Sequence, residues 1–256
     1  MSSADRMIWY KAWTDTRRYF VSGITILFAM VLALYMSYPG DPGKEFPHGA
    51  IAVGVDQVRA LAQDARSYIW LHWFGTTLLL YLSCLAIAVA GTGFAPAASG
   101  GSKRGYYLMS MPVSRRKLAS IRIALGLAEL GVAAVIPSLL VSAMALTVGQ
   151  IYSPMESMMH ALLAVAGVTA FYGLFVLLSA MLGELSKAVA GIAILFLYGM
   201  FTFLIDGVRQ RSIFRLMTGD TYFLCGEVPW LAIAACVSFG LICVFGALTI
   251  VDRRDY

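Results

Sequence analysis

The chain has 256 residues, of which 60% are hydrophobic and 13% are charged, and its formal net charge is +5. A soluble domain of this length needs more polar surface, so the composition excludes one and predicts an integral membrane protein. The excess of cations suits anionic lipid headgroups, so membrane lipid is an expected partner and nucleic acid is not.

Six windows without Asp, Glu, Lys or Arg are long enough to cross a bilayer as helices, which takes about 20 apolar residues. They are far longer than the alternating strands of about 10 residues in a membrane barrel. We therefore predict an all-α integral membrane protein, with a single transmembrane domain over residues 1–256. Its six spans are expected at about 20–38, 69–98, 118–148, 157–183, 187–206 and 229–251.

The segment before the first span mixes aromatic and basic side chains. Trp9 and Trp13 lie on one helical stripe, whereas Lys11, Arg17 and Arg18 lie elsewhere. This pattern is typical of a helix that lies flat in the headgroup region, with its cations against anionic lipid. It predicts an interfacial helix at about residues 5–18.

Two longer segments separate spans on the outer side of the membrane, at residues 39–68 and 207–228. The second one is too apolar for a hydrated loop, yet too short and too charged to span. We predict a helix-turn-helix there, either at the surface or partly embedded in the membrane.

The distribution of Lys and Arg predicts the orientation. With the N-terminus inside, 13 of the 19 basic residues fall in inside segments, and short basic loops are retained in the cytoplasm. Both termini are therefore expected to be cytoplasmic, in the cytoplasmic (inner) membrane.

The inside loop at residues 99–118 has an order that suggests docking. Gly105 opens an apolar-aromatic turn, Pro112 ends it, and Ser114 is placed to cap a helix that begins at Arg115. An ordinary basic loop is the alternative, but it does not explain an apolar patch facing the cytoplasm. The predicted docking residues are Gly105, Tyr106, Tyr107, Leu108, Met109, Met111, Pro112, Ser114, Arg115 and Arg116.

No catalytic motif is present in the sequence. Gly100–Gly101–Ser102–Lys103 lacks the spacing of a phosphate-binding loop. The lone His72 and His160 fall at the outer ends of their helices without metal-ligand spacing, which favours interfacial polar residues. We therefore expect no catalytic residue, metal or cofactor in this chain.

Glu129 is the one carboxylate deep inside a predicted span. Because such a charge is costly in a membrane, it is expected to face the bundle interior or water. Three interpretations remain open: a substrate or proton contact, an ion-pair partner of Arg122, or a protonated acid bonded to a neighbouring helix.

The Gly105–Leu118 segment resembles the loop after the second membrane helix in permease subunits of ABC-2 type transporters, where a Gly precedes a Leu-rich turn and a Leu-Pro-Val-Ser-Arg-Arg-like run. The resemblance implies that the loop binds a partner ATPase, which would hold ATP and Mg. It also implies a permease dimer, homomeric or paired with a related subunit, and most often export. Spans one, two and five would flank the pathway.

Two other function classes compete with this interpretation. A proton-coupled secondary transporter would use Glu129 to carry the proton. A non-transporting membrane sensor or assembly protein would use the same loop for another cytoplasmic partner.

Overall fold

The computed structural model describes residues 3–37, 65–90, 114–147, 150–182, 184–205, 207–208 and 211–253. This part of the chain contains helices and no strand, and six of the helices are long and apolar enough to cross a membrane. The predicted all-α fold is confirmed over the described residues, as are six helices able to span a membrane. The helices are α1 (Ser3–Met36), α2 (Ala65–Val89), α3 (Arg115–Thr147), α4 (Pro154–Met181), α5 (Glu184–Leu204), α6 (Ile213–Thr218), α7 (Asp220–Cys225) and α8 (Trp230–Arg253).

The first helix corrects one predicted boundary. α1 continues without a break from Ser3 to Met36, so the segment at residues 5–18 is not a separate helix. The chain from Arg18 to Gly23 contains no proline to end a helix. At 34 residues, α1 is about 50 Å long, which exceeds the roughly 30 Å hydrocarbon core. Placement of its first turns in the headgroup region stays a prediction.

The second helix differs from the prediction in its end and its winding. It ends at Val89, because Ala90 adopts an extended conformation (ψ 110°), whereas the predicted span continued to about residue 98. Its middle, Trp70–Leu78, is a π-helix between two α-helical pieces. A π segment inside an α-helix is rare and often marks a functional region.

α4 lies at the centre of the bundle and packs against α2, α3, α5, α6 and α8. Its contact with α8 is backbone to backbone, since a Cβ on Gly173 would lie 2.4 Å from the carbonyl oxygen of Gly240. Glycine at both positions lets the two helices approach this closely. Fully buried aromatic side chains fill the surrounding core; they include Trp73, Phe74, Tyr172 and Phe175.

The predicted helix-turn-helix between spans five and six is confirmed. α6 and α7 are joined by Gly219, whose φ of +70° suits glycine best. Met217 of α6 is fully buried beside Gly167 of α4. Gly167 lies about 20 Å along α4 from its first residue, so α6 is inserted into the bundle.

Contacts between helices define two ends of the bundle. At one end, the starts of α1, α3 and α5 meet the ends of α2 and α8; we call this the basic end. The contacts that define it are Ile8 with Ile121, Lys187 with Ala90, Val89 with Gly126, and Arg116 with Phe245. At the other end, which we call the aromatic end, Tyr35 meets Val141 and Arg66 meets Glu156.

Candidate functional site

The predicted docking loop is seen only where it enters α3. Residues 105–113, which include Gly105 to Pro112, lie outside the described residues. The helix begins at Arg115, as expected. The backbone N–H of Lys117 donates to Ser114 Oγ over 3.4 Å, and that of Leu118 donates to the Ser114 carbonyl over 3.1 Å. Ser114 therefore occupies the predicted capping position.

The first half of α1 forms part of the basic end. Ile8 and Ala12 are buried against Ile121 of α3. Arg17 and Arg18 are exposed, and Lys11 lies 4.0 Å from Asp15. The segment predicted to lie at the interface therefore packs on α3 through one face and keeps these cations on its other faces.

Arg122 does not pair with Glu129, which corrects the ion-pair interpretation. Arg122 Nη2 donates to Asp15 Oδ2 on α1 over 3.0 Å, and both side chains are largely covered. Glu129 Oε1 instead accepts a hydrogen bond from Thr16 Oγ1 over 2.5 Å. The pairing inferred from spacing along one helix gives way here to partners on the neighbouring helix.

Glu129 is buried between α1, α3 and α4. Its side chain is 3% exposed, and Oε2 has no hydrogen-bond partner among the described residues. The nearby Tyr172 hydroxyl donates to the Ile123 carbonyl rather than to this carboxyl group. Of the three interpretations, a carboxyl group bonded to a neighbouring helix agrees best with this geometry.

Lys187 is a buried cation that the sequence did not single out. Its side chain is 6% exposed, and Nζ donates to the Ala90 carbonyl over 2.6 Å. A cation at this position hydrogen-bonds a carbonyl at the end of α2 and is attracted to the negative end of the α2 helix dipole. An open pocket of about 330 Å³ between α1, α2 and α5 lies beside it, lined by Tyr19, Cys84, Ile87, Ala88, Lys187, Ala188 and Ile192.

The aromatic end is organised around His160 of α4. The imidazole is 0% exposed, and neither ring nitrogen has a hydrogen-bond partner in the described part of the chain. Phe74 of the π segment stacks on it at 4.7 Å between ring centroids, and Tyr222 of α7 meets it edge-on at 5.3 Å. The sequence suggested an interfacial histidine; its burial follows from the insertion of the α6–α7 hairpin.

Span two holds this hairpin through its π segment. Trp70 Nε1 donates to the Thr218 carbonyl over 3.0 Å, and the Trp70 ring stacks on Phe223 at 4.4 Å with an interplanar angle of 4°. Within the π turn, the Thr76 and Thr77 hydroxyls donate to carbonyls five residues earlier. These bonds satisfy backbone oxygens that the wide turn leaves accessible.

Polar groups surround the rim of the same end. Arg66 Nε donates to Glu156 Oε1 over 2.7 Å, and its guanidinium lies 4.9 Å from the Phe223 ring centroid. Tyr152, just before α4, is 3% exposed, and no described group bonds its hydroxyl. Burial, and next the Glu156 carboxylate, raise the pKa of Tyr152 above its ordinary value.

Comparison with protein-family models, with curated proteins and with solved structures finds no match to this chain.

Proposed function

We propose that the chain is the permease subunit of an ATP-driven ABC-2 type transporter. The observation that carries the proposal is the order of residues in the loop before α3: a Gly, an apolar-aromatic turn, Pro112, and the Ser114 cap. The loop enters α3 at the basic end, where α1 and α5 also present cations. The positive-inside rule favours the cytoplasm for that end.

This function needs partners that the chain does not supply. Two ATPase subunits, which hold ATP and Mg, would dock on the 99–118 loop, and a second permease copy or a related permease would complete the pathway. The family resemblance implies that spans one, two and five flank the pathway, and these spans are α1, α2 and α5. The open pocket between the same three helices supports the proposal. The chain itself contributes no catalytic group.

The docking proposal is tested by purifying the chain together with the products of its neighbouring genes and measuring whether an ATPase co-purifies. Replacing Tyr107, Leu108 and Met111 by Asp should abolish co-purification, because losing a buried apolar anchor from an interface costs about 2 kcal/mol or more. Ser102→Asp adds the charge of one such substitution to the same loop outside the apolar turn, and it should leave co-purification intact. Equal co-purification of both variants contradicts the proposal.

The proposed orientation, with both termini in the cytoplasm, has a separate test. In a background with Cys84→Ser and Cys225→Ser, which removes the two exposed thiols, Lys103→Cys should be protected from an impermeant thiol reagent added outside intact cells, whereas Arg211→Cys should react. The opposite labelling pattern reverses the topology.

A proton-coupled transporter is the second candidate, because the partly unbonded, buried Glu129 carboxyl group could exchange a proton. Transport in vesicles separates the two functions. ATP dependence without a proton gradient supports the first, and gradient dependence without ATP supports the second.

A further inference from the structure

α7 has the architecture of a lid over His160. It begins after Gly219 (φ +70°) and ends at Gly226 (φ +72°), so a left-handed glycine lies at each end. None of its residues is fully buried, whereas Leu216 and Met217 anchor the adjoining α6 in the bundle. α7 can therefore move about its two glycine ends while α6 stays in place.

Aromatic contacts hold the lid closed. Phe223 stacks on Trp70, and Tyr222 lies edge-on against the His160 ring. On the other side, Phe74 closes the stack. The imidazole is therefore enclosed by rings from α2 and α7, with no water-accessible face.

The two described carboxylates on the helices that pack around His160 already have cationic partners. On α4, Glu156 already contacts Arg66 of α2, and on the lid Asp220 lies 3.8 Å from Arg215 of α6. The other titratable groups that the structure describes at this end are the side chains of Tyr35, Tyr68, Tyr152, Tyr222 and His72, together with the exposed Arg211 and Glu227.

The Thr218 carbonyl is the one backbone acceptor beside the ring among the described residues, and it already accepts one hydrogen bond. The Thr218 oxygen accepts the Trp70 indole N–H, and a Cβ on Gly219 would lie 2.4 Å from His160 Nδ1. The closed site thus fits a neutral ring tightly and has little capacity to solvate an imidazolium.

We propose that His160 is an acid-sensitive latch: α7 covers the neutral imidazole, and protonation of His160 releases α7 about Gly219 and Gly226. Once the lid is open, the ring is hydrated and can titrate near the ordinary histidine value of about 6.5. Proton uptake then favours the open form, and the ratio of open to closed forms rises up to about tenfold for each pH unit below that value. The latch acts at the aromatic end and does not depend on the transport function proposed above.

Cys225, the exposed last residue of α7, provides the reporter. A bimane fluorophore on Cys225 is quenched by a tryptophan within contact range, so a closed lid near Trp70 should be dim. The full chain is purified in detergent micelles with Cys84→Ser and Trp230→Phe, since Cys84 is the other exposed thiol and Trp230 is a second nearby indole. Trp70→Phe in this background should be brighter at about pH 7.5; equal brightness contradicts a closed lid and overturns the proposal.

Acidification from about pH 7.5 to about pH 5 should brighten the parent reversibly. His160→Phe should stay dim throughout, because phenylalanine fills the ring site and takes no proton. His72→Gln, the matched change on α2, should brighten like the parent. If His160→Phe does not give a monodisperse protein, His160→Gln serves as the uncharged variant. No brightening in the parent, or the same brightening without His160, overturns the latch.

Discussion

The two ends of the bundle are held together by different kinds of contact. At the basic end, partners are charged or polar and directional: Asp15 with Arg122, Thr16 with Glu129, and Lys187 with the Ala90 carbonyl. At the aromatic end, stacked rings around His160 and Trp70 do most of the packing. The difference indicates that substitutions at the basic end should lower the free energy of unfolding most when they remove one polar partner. Substitutions at the aromatic end should lower it most when they change the shape of a packed side chain.

The largest expected effect is at Arg122. Arg122→Leu should lower the free energy of unfolding by about 3 kcal/mol, because it leaves the partly buried Asp15 carboxylate without its main cation. SDS titration in mixed micelles measures the change. Arg17→Leu, an exposed cation on the same helix as Asp15, should change stability by less than about 0.5 kcal/mol.

A double-mutant cycle identifies the partner of Arg122. Asp15→Leu should recover part of the stability lost in Arg122→Leu, whereas Glu129→Leu should add to that loss within about 0.5 kcal/mol. Strong coupling between Arg122 and Glu129 would support the ion pair predicted from their spacing along one helix, and it would contradict the structure.

At the aromatic end, Gly219→Ala should cost about 2 kcal/mol. The new alanine must adopt a positive φ, and its Cβ would lie 2.4 Å from His160 Nδ1. Gly226→Ala is the matched control, since its φ is +72° but nothing lies within 4 Å of the new Cβ; strain alone should cost about 1 kcal/mol. Equal losses in the two variants, measured by the same SDS titration, would show that the fit around His160 contributes nothing.

Trp70→Phe should have a smaller effect, about 1 kcal/mol, because phenylalanine keeps a ring against Phe223 but cannot donate to the Thr218 carbonyl. Trp230→Phe is its control, since Trp230 is 73% exposed. The same titration should separate the two variants; a loss no greater than that of Trp230→Phe would mean that the indole hydrogen bond does not hold the hairpin.

The smallest effect is expected at Glu156. Glu156→Gln should cost about 0.5 kcal/mol in low salt, since Arg66 is half exposed and water screens the pair. The cost should fall further at high salt. A loss as large as that of Arg122→Leu would show that the aromatic end also depends on an ion pair.

Several features of the fold follow from the sequence alone. Long uncharged windows fix six helices, because only helices of about 20 apolar residues satisfy their own backbone in hydrocarbon. The Ser114 cap was also predictable, since a serine before a helical run is a local signal. The helix-turn-helix between spans five and six followed from a segment too apolar for a hydrated loop and too short and charged to span. These features depend on neighbours along the chain.

The partners of the buried polar groups depend instead on which helices touch. Arg122 and Glu129 lie on one helical face, yet each bonds to α1, because α1 brings Asp15 and Thr16 within reach. His160 resembles an interfacial residue in the sequence, but α7 and the π segment of α2 enclose it. A single sequence specifies spacing within a helix, whereas only tertiary packing sets the distances between helices, and those distances decide which polar groups are paired and which are buried alone.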